Sequence, residues 1–222
     1  MMIRVSLAAL CAAMLVAAPV ASKEKNKPIQ SGPAHEENFA CSGILGPDST
    51  EAALRAHYGD ANVVTGTVYG PEGMEMLGTS IYPGEEGRSV EVLWYDEEAL
   101  AYPASVTLPA GVIAPNGVRL GMTIDEVEAL NGQPFKLGGF WWDYGGYAYF
   151  EVGNLADNDP EPECFVSVRF LPGDYSDEID TMEVSGEVEV RSDLPLLDEI
   201  DTRVFQLLVH YPWPDHLPEP EY

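Results

Sequence analysis

The sequence is poor in basic residues. Eleven lysines and arginines stand against 37 aspartates and glutamates in 222 residues, which gives a formal net charge of −26 at pH 7. A field of this sign repels phosphate backbones and anionic headgroups, so we predict no nucleic-acid partner. Divalent cations and basic protein surfaces are better candidates, beside the plainer interpretation that the charge keeps an exported protein soluble.

The motifs of common catalytic sites are missing too. The chain has no G-x-S-x-G elbow, no H-E-x-x-H helix and no glycine-rich phosphate loop. The four histidines are scattered singly, a pattern more typical of structural or exposed positions than of metal ligands: His35, His57, His210 and His216. The sequence therefore favours a non-enzymatic protein. A two-carboxylate hydrolase stays open as an alternative, because sequence does not give the carboxylate separation.

Long apolar runs are also missing, and the longest one lies at the N-terminus. Residues 5–18 follow a short positive segment and are too few to span a bilayer, and small residues precede a cleavage position after Ser22. We therefore predict a signal peptide over residues 1–22 and no transmembrane segment after its removal. The residues before Cys11 do not match a lipid-attachment pattern. The predicted location is periplasmic or secreted.

Cysteine is scarce as well, with three residues in the whole chain. Removing the signal peptide leaves Cys41 and Cys164, an even pair without C-x-x-C spacing. In an oxidising compartment such a pair predicts a structural disulfide. Because Cys41 precedes the first helix of the repeat described below and Cys164 lies late in the second unit, the bridge would join the two units.

What the sequence does contain is a repeat. Thr50, Leu54 and Gly59 recur as Thr123, Val127 and Gly132 in one ungapped register of 73 positions. Each copy has a helix start, an apolar face and a glycine stop, which predicts one supersecondary unit used twice. For the first helix we expect Asp48 or Ser49 as the cap, and for the second a capping box of Thr123 and Glu126.

Strand patterns follow each helix. In the first unit residues 62–69, 74–82 and 89–95 are β-rich and separated by turn signals, and residues 104–108 add a further strand. The second unit is predicted to have a hairpin of residues 135–142 and 147–152, then a strand over 165–171. The alternation in residues 182–190 predicts another strand, and a short helix (194–200) and a strand (204–211) follow.

The second helix also carries a family resemblance. Leu120-Gly121-Met122-Thr123, followed by Glu126-Val127, Leu130, Gly132 and Pro134, resembles the signature of small SmpA/OmlA-type bacterial envelope modules, to which the tandem fold of the β-lactamase inhibitor protein is related. The resemblance implies a helical segment packed on an antiparallel sheet, present in two copies, and binding instead of catalysis. It does not carry over a partner, because the inhibitor's contact loops have no counterpart here. The whole chain resembles an exported proteobacterial protein.

Two segments of the second unit are candidate sites. Asp157, Asp159 and Glu161 crowd oxygen ligands into a loop that could hold Ca²⁺, although the prolines and the missing EF-hand positions favour a solvated acidic loop. The aromatic segment carries Trp141, Trp142 and Tyr144. Its alternation directs Trp141 away from Phe140 and Trp142, so Trp141 could anchor a protein or glycan partner; the alternative is core packing.

The sequence thus predicts an α+β protein of two tandem helix-plus-antiparallel-sheet repeats, similar to the β-lactamase inhibitor protein. Its parts are a signal peptide (1–22), a flexible leader (23–38), repeat unit 1 (39–110), repeat unit 2 (111–175), a C-terminal extension (176–213) and a frayed tail (214–222). The predicted function is non-enzymatic binding of a protein or envelope component, without a cofactor unless Ca²⁺ binds. The alternatives are an acidic-site hydrolase and a calcium-stabilised structural envelope protein.

Overall fold

The computed structural model describes residues 37–70, 73–85 and 87–218. The predicted signal peptide and most of the predicted leader lie outside the described residues, as do Cys11 and His35. Glu37 and Asn38, the last two leader residues, form strand β1 and pair in parallel with strand β6, Val112–Ile113. None of the described helices is long and apolar enough to cross a membrane.

The first unit has the predicted order of one helix and four strands. Helix α1 (Glu51–Tyr58) ends at Gly59, whose φ is +89°. The strands form an antiparallel meander: β2 (Val63–Tyr69), β3 (Glu75–Ile81), β4 (Val90–Asp96) and β5 (Ala101–Thr107). The prediction of Asp48 or Ser49 as the cap is wrong. Thr50 caps the helix by accepting the Ala53 N–H at 3.2 Å, whereas the Ser49 hydroxyl donates to the Ile44 carbonyl at 2.6 Å.

The second helix forms as its caps predict. Helix α2 (Ile124–Asn131) has a complete capping box, in which Thr123 and Glu126 each accept the other's backbone N–H. Gly132 ends the helix with φ +79° in the left-handed region, which suits a residue without a Cβ. Ile124 and Val127 are fully buried in the core. A short local pattern therefore determines both ends of this helix and the face that it buries.

The rest of the second unit is less regular than predicted. Counted together with the predicted C-terminal extension, its elements are β7 (Lys136–Gly138), β8 (Ala148–Tyr149), β9 (Phe165–Leu171), β10 (Glu189–Arg191), α3 (Leu196–Glu199) and β11 (Arg203–His210). The hairpin strands are shorter than expected, which leaves a loop over residues 140–147. The predicted strand over 182–190 forms only at its end, in β10: Met182–Val184 form a 3-10 turn, and Gly186 has φ +79°.

The strand order has a mirrored arrangement. Six strands form one sheet in the order β2-β3-β4-β5-β11-β9. An isolated antiparallel bridge from Tyr147 to Arg169 continues it to β8, which pairs with β7. Strands β2 to β5 therefore follow chain order from the outer edge to the centre, and β7, β8, β9 and β11 do the same from the other side, with β10 paired outside β7. The molecule is a mixed α and β fold, mostly sheet with few helices.

The two helix starts are connected to the sheet in the same way. Thr50 forms an antiparallel bridge with Ala101 at the start of β5, and Thr123 forms one with Arg203 at the start of β11. The residue before each threonine accepts a backbone hydrogen bond: Tyr102 N–H to Ser49 O at 2.9 Å, and Val204 N–H to Met122 O at 2.8 Å. Each helix is thus attached at its N-cap to the last strand of its unit.

The disulfide between Cys41 and Cys164 is present, as predicted, with 5.7 Å between the Cα atoms. It ties the segment before α1 to the residue before β9. The C-terminal segment reaches the same region, because the buried Tyr211 hydroxyl donates to the Leu45 carbonyl at 2.6 Å. Burial raises the pKa of Tyr211. Residues 214–218 of the predicted tail form a turn, and the ring of His216 contacts that of Tyr102 at 4.6 Å; residues 219–222 lie outside the described part.

Candidate functional site

The loop between β7 and β8, residues 140–147, is the candidate site and is called the aromatic loop below. Its first residue, Phe140, is fully buried. The Phe140 N–H donates to the Val184 carbonyl at 2.7 Å, and the Gly186 N–H donates to the Phe140 carbonyl at 2.8 Å. The start of the loop is therefore held by the irregular segment where the sequence predicted a strand.

Arg169 on β9 holds the other end of the aromatic loop. Its Nε donates to the Gly145 carbonyl at 2.8 Å and its Nη2 to the Asp143 carbonyl at 3.1 Å. The guanidinium carbon lies 5.0 Å from the centre of the Tyr147 ring, within cation–π range. One side chain thus fixes three positions of the loop.

Two glycines let the aromatic loop pack closely on the sheet. The Gly146 N–H donates to the Gly138 carbonyl at 3.0 Å, and the Gly146 carbonyl accepts the Phe170 N–H at 2.8 Å. A Cβ added at Gly146 would lie 2.0 Å from the Phe170 carbonyl oxygen, and one at Gly145 would lie 2.7 Å from that of Gly139. These backbone approaches exclude larger residues at both positions.

The fixed loop exposes Trp141. This side chain is 54% exposed, and its backbone has φ +62°, in the left-handed region that L residues with a bulky side chain rarely adopt. This conformation costs about 1–2 kcal/mol, which the surrounding hydrogen bonds must offset. Strain of this kind clusters at functional positions in proteins, and here it directs a large aromatic surface toward solvent.

The other two predicted binding residues contact each other. The Trp142 indole N–H donates to the Gly139 carbonyl at 2.9 Å, and its ring meets that of Tyr144 edge to face at 5.6 Å. Trp142 is half-buried, whereas Tyr144 is exposed. Trp141 is more exposed than Phe140 and Trp142, but its ring contacts the Phe140 ring edge to face at 5.8 Å, and the backbone is a loop and not a regular strand.

Comparisons with family models, with curated proteins and with solved structures find no match to this chain. The function therefore has to be argued from the geometry of the site.

The predicted calcium loop does not bring its three carboxylates together. The Asp157 side chain accepts the Asp159 N–H at 3.3 Å, and that of Asp159 accepts the Glu161 N–H at 3.0 Å. Each of these two carboxylates stabilises a local turn in its own loop. Over the described part of the chain there is no group of three or more histidine, cysteine, aspartate or glutamate residues that could hold a metal ion.

An acidic cleft of about 370 Å³ lies beside β10. Glu189 forms an ion pair with Lys136 at 3.1 Å. Asp193 forms a bidentate ion pair with Arg191, with N–O distances of 2.6 and 2.9 Å. The Arg191 guanidinium lowers the pKa of the Asp193 carboxyl. A general acid for glycoside hydrolysis needs the opposite shift, so Asp193 does not fit that role.

A larger cleft of about 520 Å³ lies between α1 and the segment that precedes it. Tyr58 and Tyr82 line it and meet edge to face at 5.9 Å, and Arg88 stacks over the Tyr82 ring at 3.8 Å. Burial raises the pKa of Tyr58. Residues of β1 and Val112 of β6 also line this cleft.

Two determinants of the aromatic loop were missed by sequence reasoning. Arg169 shares one face of β9 with Ser167 in a strand whose other residues are apolar, which is a weak signal. The left-handed conformation of Trp141 has no sequence signal, because it results from contacts with β9 and with residues 184–186 that are distant along the chain.

Proposed function

We propose that this protein is an exported, non-enzymatic binding protein of the bacterial envelope and that the aromatic loop is its binding site. The observation that carries the proposal is Trp141, a half-exposed indole on a strained backbone that is fixed from two sides. Exposed aromatic anchors dominate the energy of many interfaces, and a rigid loop loses little entropy on binding.

The conformation of the loop supports a preformed site. Phe140 and Arg169 fix its two ends by hydrogen bonds that do not involve the Trp141 side chain. The indole contacts the buried Phe140 ring edge to face, with 5.8 Å between the ring centres, and still leaves about half of its surface exposed. A partner that covers Trp141 and Tyr144 would bury apolar area without reordering the backbone.

The proposed partner is a protein with a basic rim around an apolar recess. The formal net charge of −26 favours a basic partner, because complementary charge increases the association rate and rejects acidic proteins. We keep the periplasmic or secreted location as part of this proposal, and with it the signal peptide. Neither a hydrolase nor a calcium-stabilised structural role has a specific observation in its favour.

We further propose that the fold is a duplicated unit of the SmpA/OmlA type. The mirrored strand order and the equivalent attachments of Thr50 and Thr123 to the last strand of their units support this. The aromatic loop belongs to the second copy alone, which is the expected pattern when one copy of a duplicated scaffold acquires a specialised surface.

Replacing Trp141 with asparagine tests the proposed function. Asparagine adopts the left-handed conformation more readily than tryptophan, so relief of strain should offset part of the lost packing. We expect the free energy of unfolding to change by no more than about 1 kcal/mol, while affinity for the partner falls about 100-fold. The measurement is capture of envelope proteins by the immobilised protein, followed by titration of the captured partner.

Met74→Asn is the matched control, because Met74 is a large apolar residue in the other unit that is 54% exposed, like Trp141, and lies outside β2. It should leave capture unchanged. If Trp141→Asn captured the same proteins with the same affinity as the unaltered chain, the aromatic loop would not be the binding site.

A further inference from the structure

Strand β2 is the edge of the six-stranded sheet and carries no charged residue. It reads Val63-Val64-Thr65-Gly66-Thr67-Val68-Tyr69, and all seven residues are in register with β3. In the part of the chain that the structure describes, no strand pairs with its other side. Natural proteins usually protect such an edge with charges, proline or a bulge, and β2 has none of these.

The register defines which backbone groups point outward from β2. The Tyr82 N–H donates to the Asn62 carbonyl at 2.7 Å, and the Gly70 N–H donates to the Met74 carbonyl at 2.8 Å. Because antiparallel pairing alternates, the even-numbered residues of β2 bond to β3. The N–H and C=O groups of Val63, Thr65, Thr67 and Tyr69 therefore face away from the sheet.

The sequence of this edge is self-complementary. Residues 64–68 read the same in both directions around Gly66. Glycine weakens a strand interior, and one often marks a close approach of another backbone. Packing within this chain does not require a glycine at position 66, since a Cβ built there meets nothing within 4 Å.

We propose that β2 pairs with β2 of a second copy of this chain, antiparallel and centred on Gly66, so that the sheet continues across a homodimer. In this register Thr65 lies opposite Thr67 of the second copy and Val63 lies opposite Tyr69. Both are pairs of residues whose backbone groups face outward, and each pair exchanges two hydrogen bonds. Val64 meets Val68 on the other face, and the two glycines meet at the two-fold axis.

Of the two edge strands compared, β2 and β10, β2 has the charge that better permits pairing with a second copy. Two chains of net charge −26 repel each other, so close contact requires a locally neutral surface. β2 is uncharged, and the nearest ion pair on α1, Glu51 with Arg55 at 2.8 Å, is neutral in sum. The edge strand β10 has only three residues, two of them charged. Because the remaining repulsion is long-range, added salt should strengthen the dimer.

Light scattering on the full chain, coupled to size exclusion, tests the proposal. At chain concentrations of about 10–100 µM we expect the mass of two chains, with a larger dimer fraction in higher salt. Thr67→Pro removes an outward N–H without removing a bond to β3 and should give monomers. Val64→Lys places a charge on the paired edge and should do the same; Val64 is 48% exposed.

Val152→Lys is the matched control, since Val152 is 55% exposed and lies outside β2. It should remain dimeric, as should Trp141→Asn, which separates this proposal from the one for the aromatic loop. Residue-resolved hydrogen exchange gives a second readout. The amides of Thr65 and Thr67 should become protected about tenfold or more as concentration rises, whereas those of Val64 and Gly66 should be protected throughout.

A monomer across this concentration range would overturn the proposal, and so would a dimer that survives both β2 substitutions. Amides of Thr65 and Thr67 that become protected only when an extended peptide is added to a monomeric protein would overturn it too. That result would assign the edge to peptide binding.

Discussion

Replacing Gly146 with alanine is expected to lower the free energy of unfolding by about 4 kcal/mol or more. The added Cβ would lie 2.0 Å from the Phe170 carbonyl oxygen, which is backbone and belongs to a central part of the fold. The alanine would also have to adopt φ +79°. Clash and conformational strain therefore add, and the Gly146 contacts with Gly138 and Phe170 would have to break. Urea-induced unfolding measures the loss.

Gly186→Ala is the control for this experiment. Gly186 has the same φ of +79° and bonds to the same loop through Phe140, but a Cβ there meets nothing within 4 Å. Only the conformational term remains, so we expect a loss of about 1–2 kcal/mol. Equal losses for the two variants would mean that the close contact of Gly146 with β9 does not exist in solution.

Removing the disulfide is the second large effect. The bridge joins residues 123 positions apart. In the chain-entropy model, closing a loop of that length is worth about 4–5 kcal/mol, although measured values often fall short of this. We expect Cys41→Ser and Cys164→Ser to lower the free energy of unfolding by the same amount, and the double variant to lose no more than either one. Reductant should lower the melting temperature of the unaltered chain and leave that of the cysteine variants unchanged.

The structural context of the bridge explains where the loss would be felt. Cys41 lies in the segment whose Leu45 carbonyl accepts the Tyr211 hydroxyl and whose Ile44 carbonyl accepts the Ser49 hydroxyl. This segment leads directly into α1. If the single losses were additive in the double variant, the two cysteines would act separately and the bridge would not be the cause.

Local sequence signals predicted most of the local structure. The capping box of Thr123 and Glu126 and the stop at Gly132 determined α2, and the turn signals of the first unit separated its strands within two residues of their bounds, except the start of β5. These features depend on contacts between near neighbours in the chain. The disulfide was equally predictable, because two cysteines allow only one pairing.

Features that depend on distant contacts were not predictable. Residues 182–190 alternate as a strand would, yet residues 182–188 form a 3-10 turn and a loop, because Val184 and Gly186 pair with Phe140. The candidate site shows the same limit. The pattern indicated that Trp141 and Trp142 would differ in exposure, but the anchoring of the aromatic loop by Arg169 needed the position of β9.

The central claim is that the aromatic loop contacts a partner through Trp141, and site-specific photo-cross-linking tests it most directly. A photoreactive phenylalanine analogue placed at position 141, and separately at position 69, would be expressed in cells and activated with light. We predict one discrete cross-linked protein from position 141 and none in common from position 69. No adduct from position 141, or the same adducts from both positions, would contradict the assignment of this loop as the binding site.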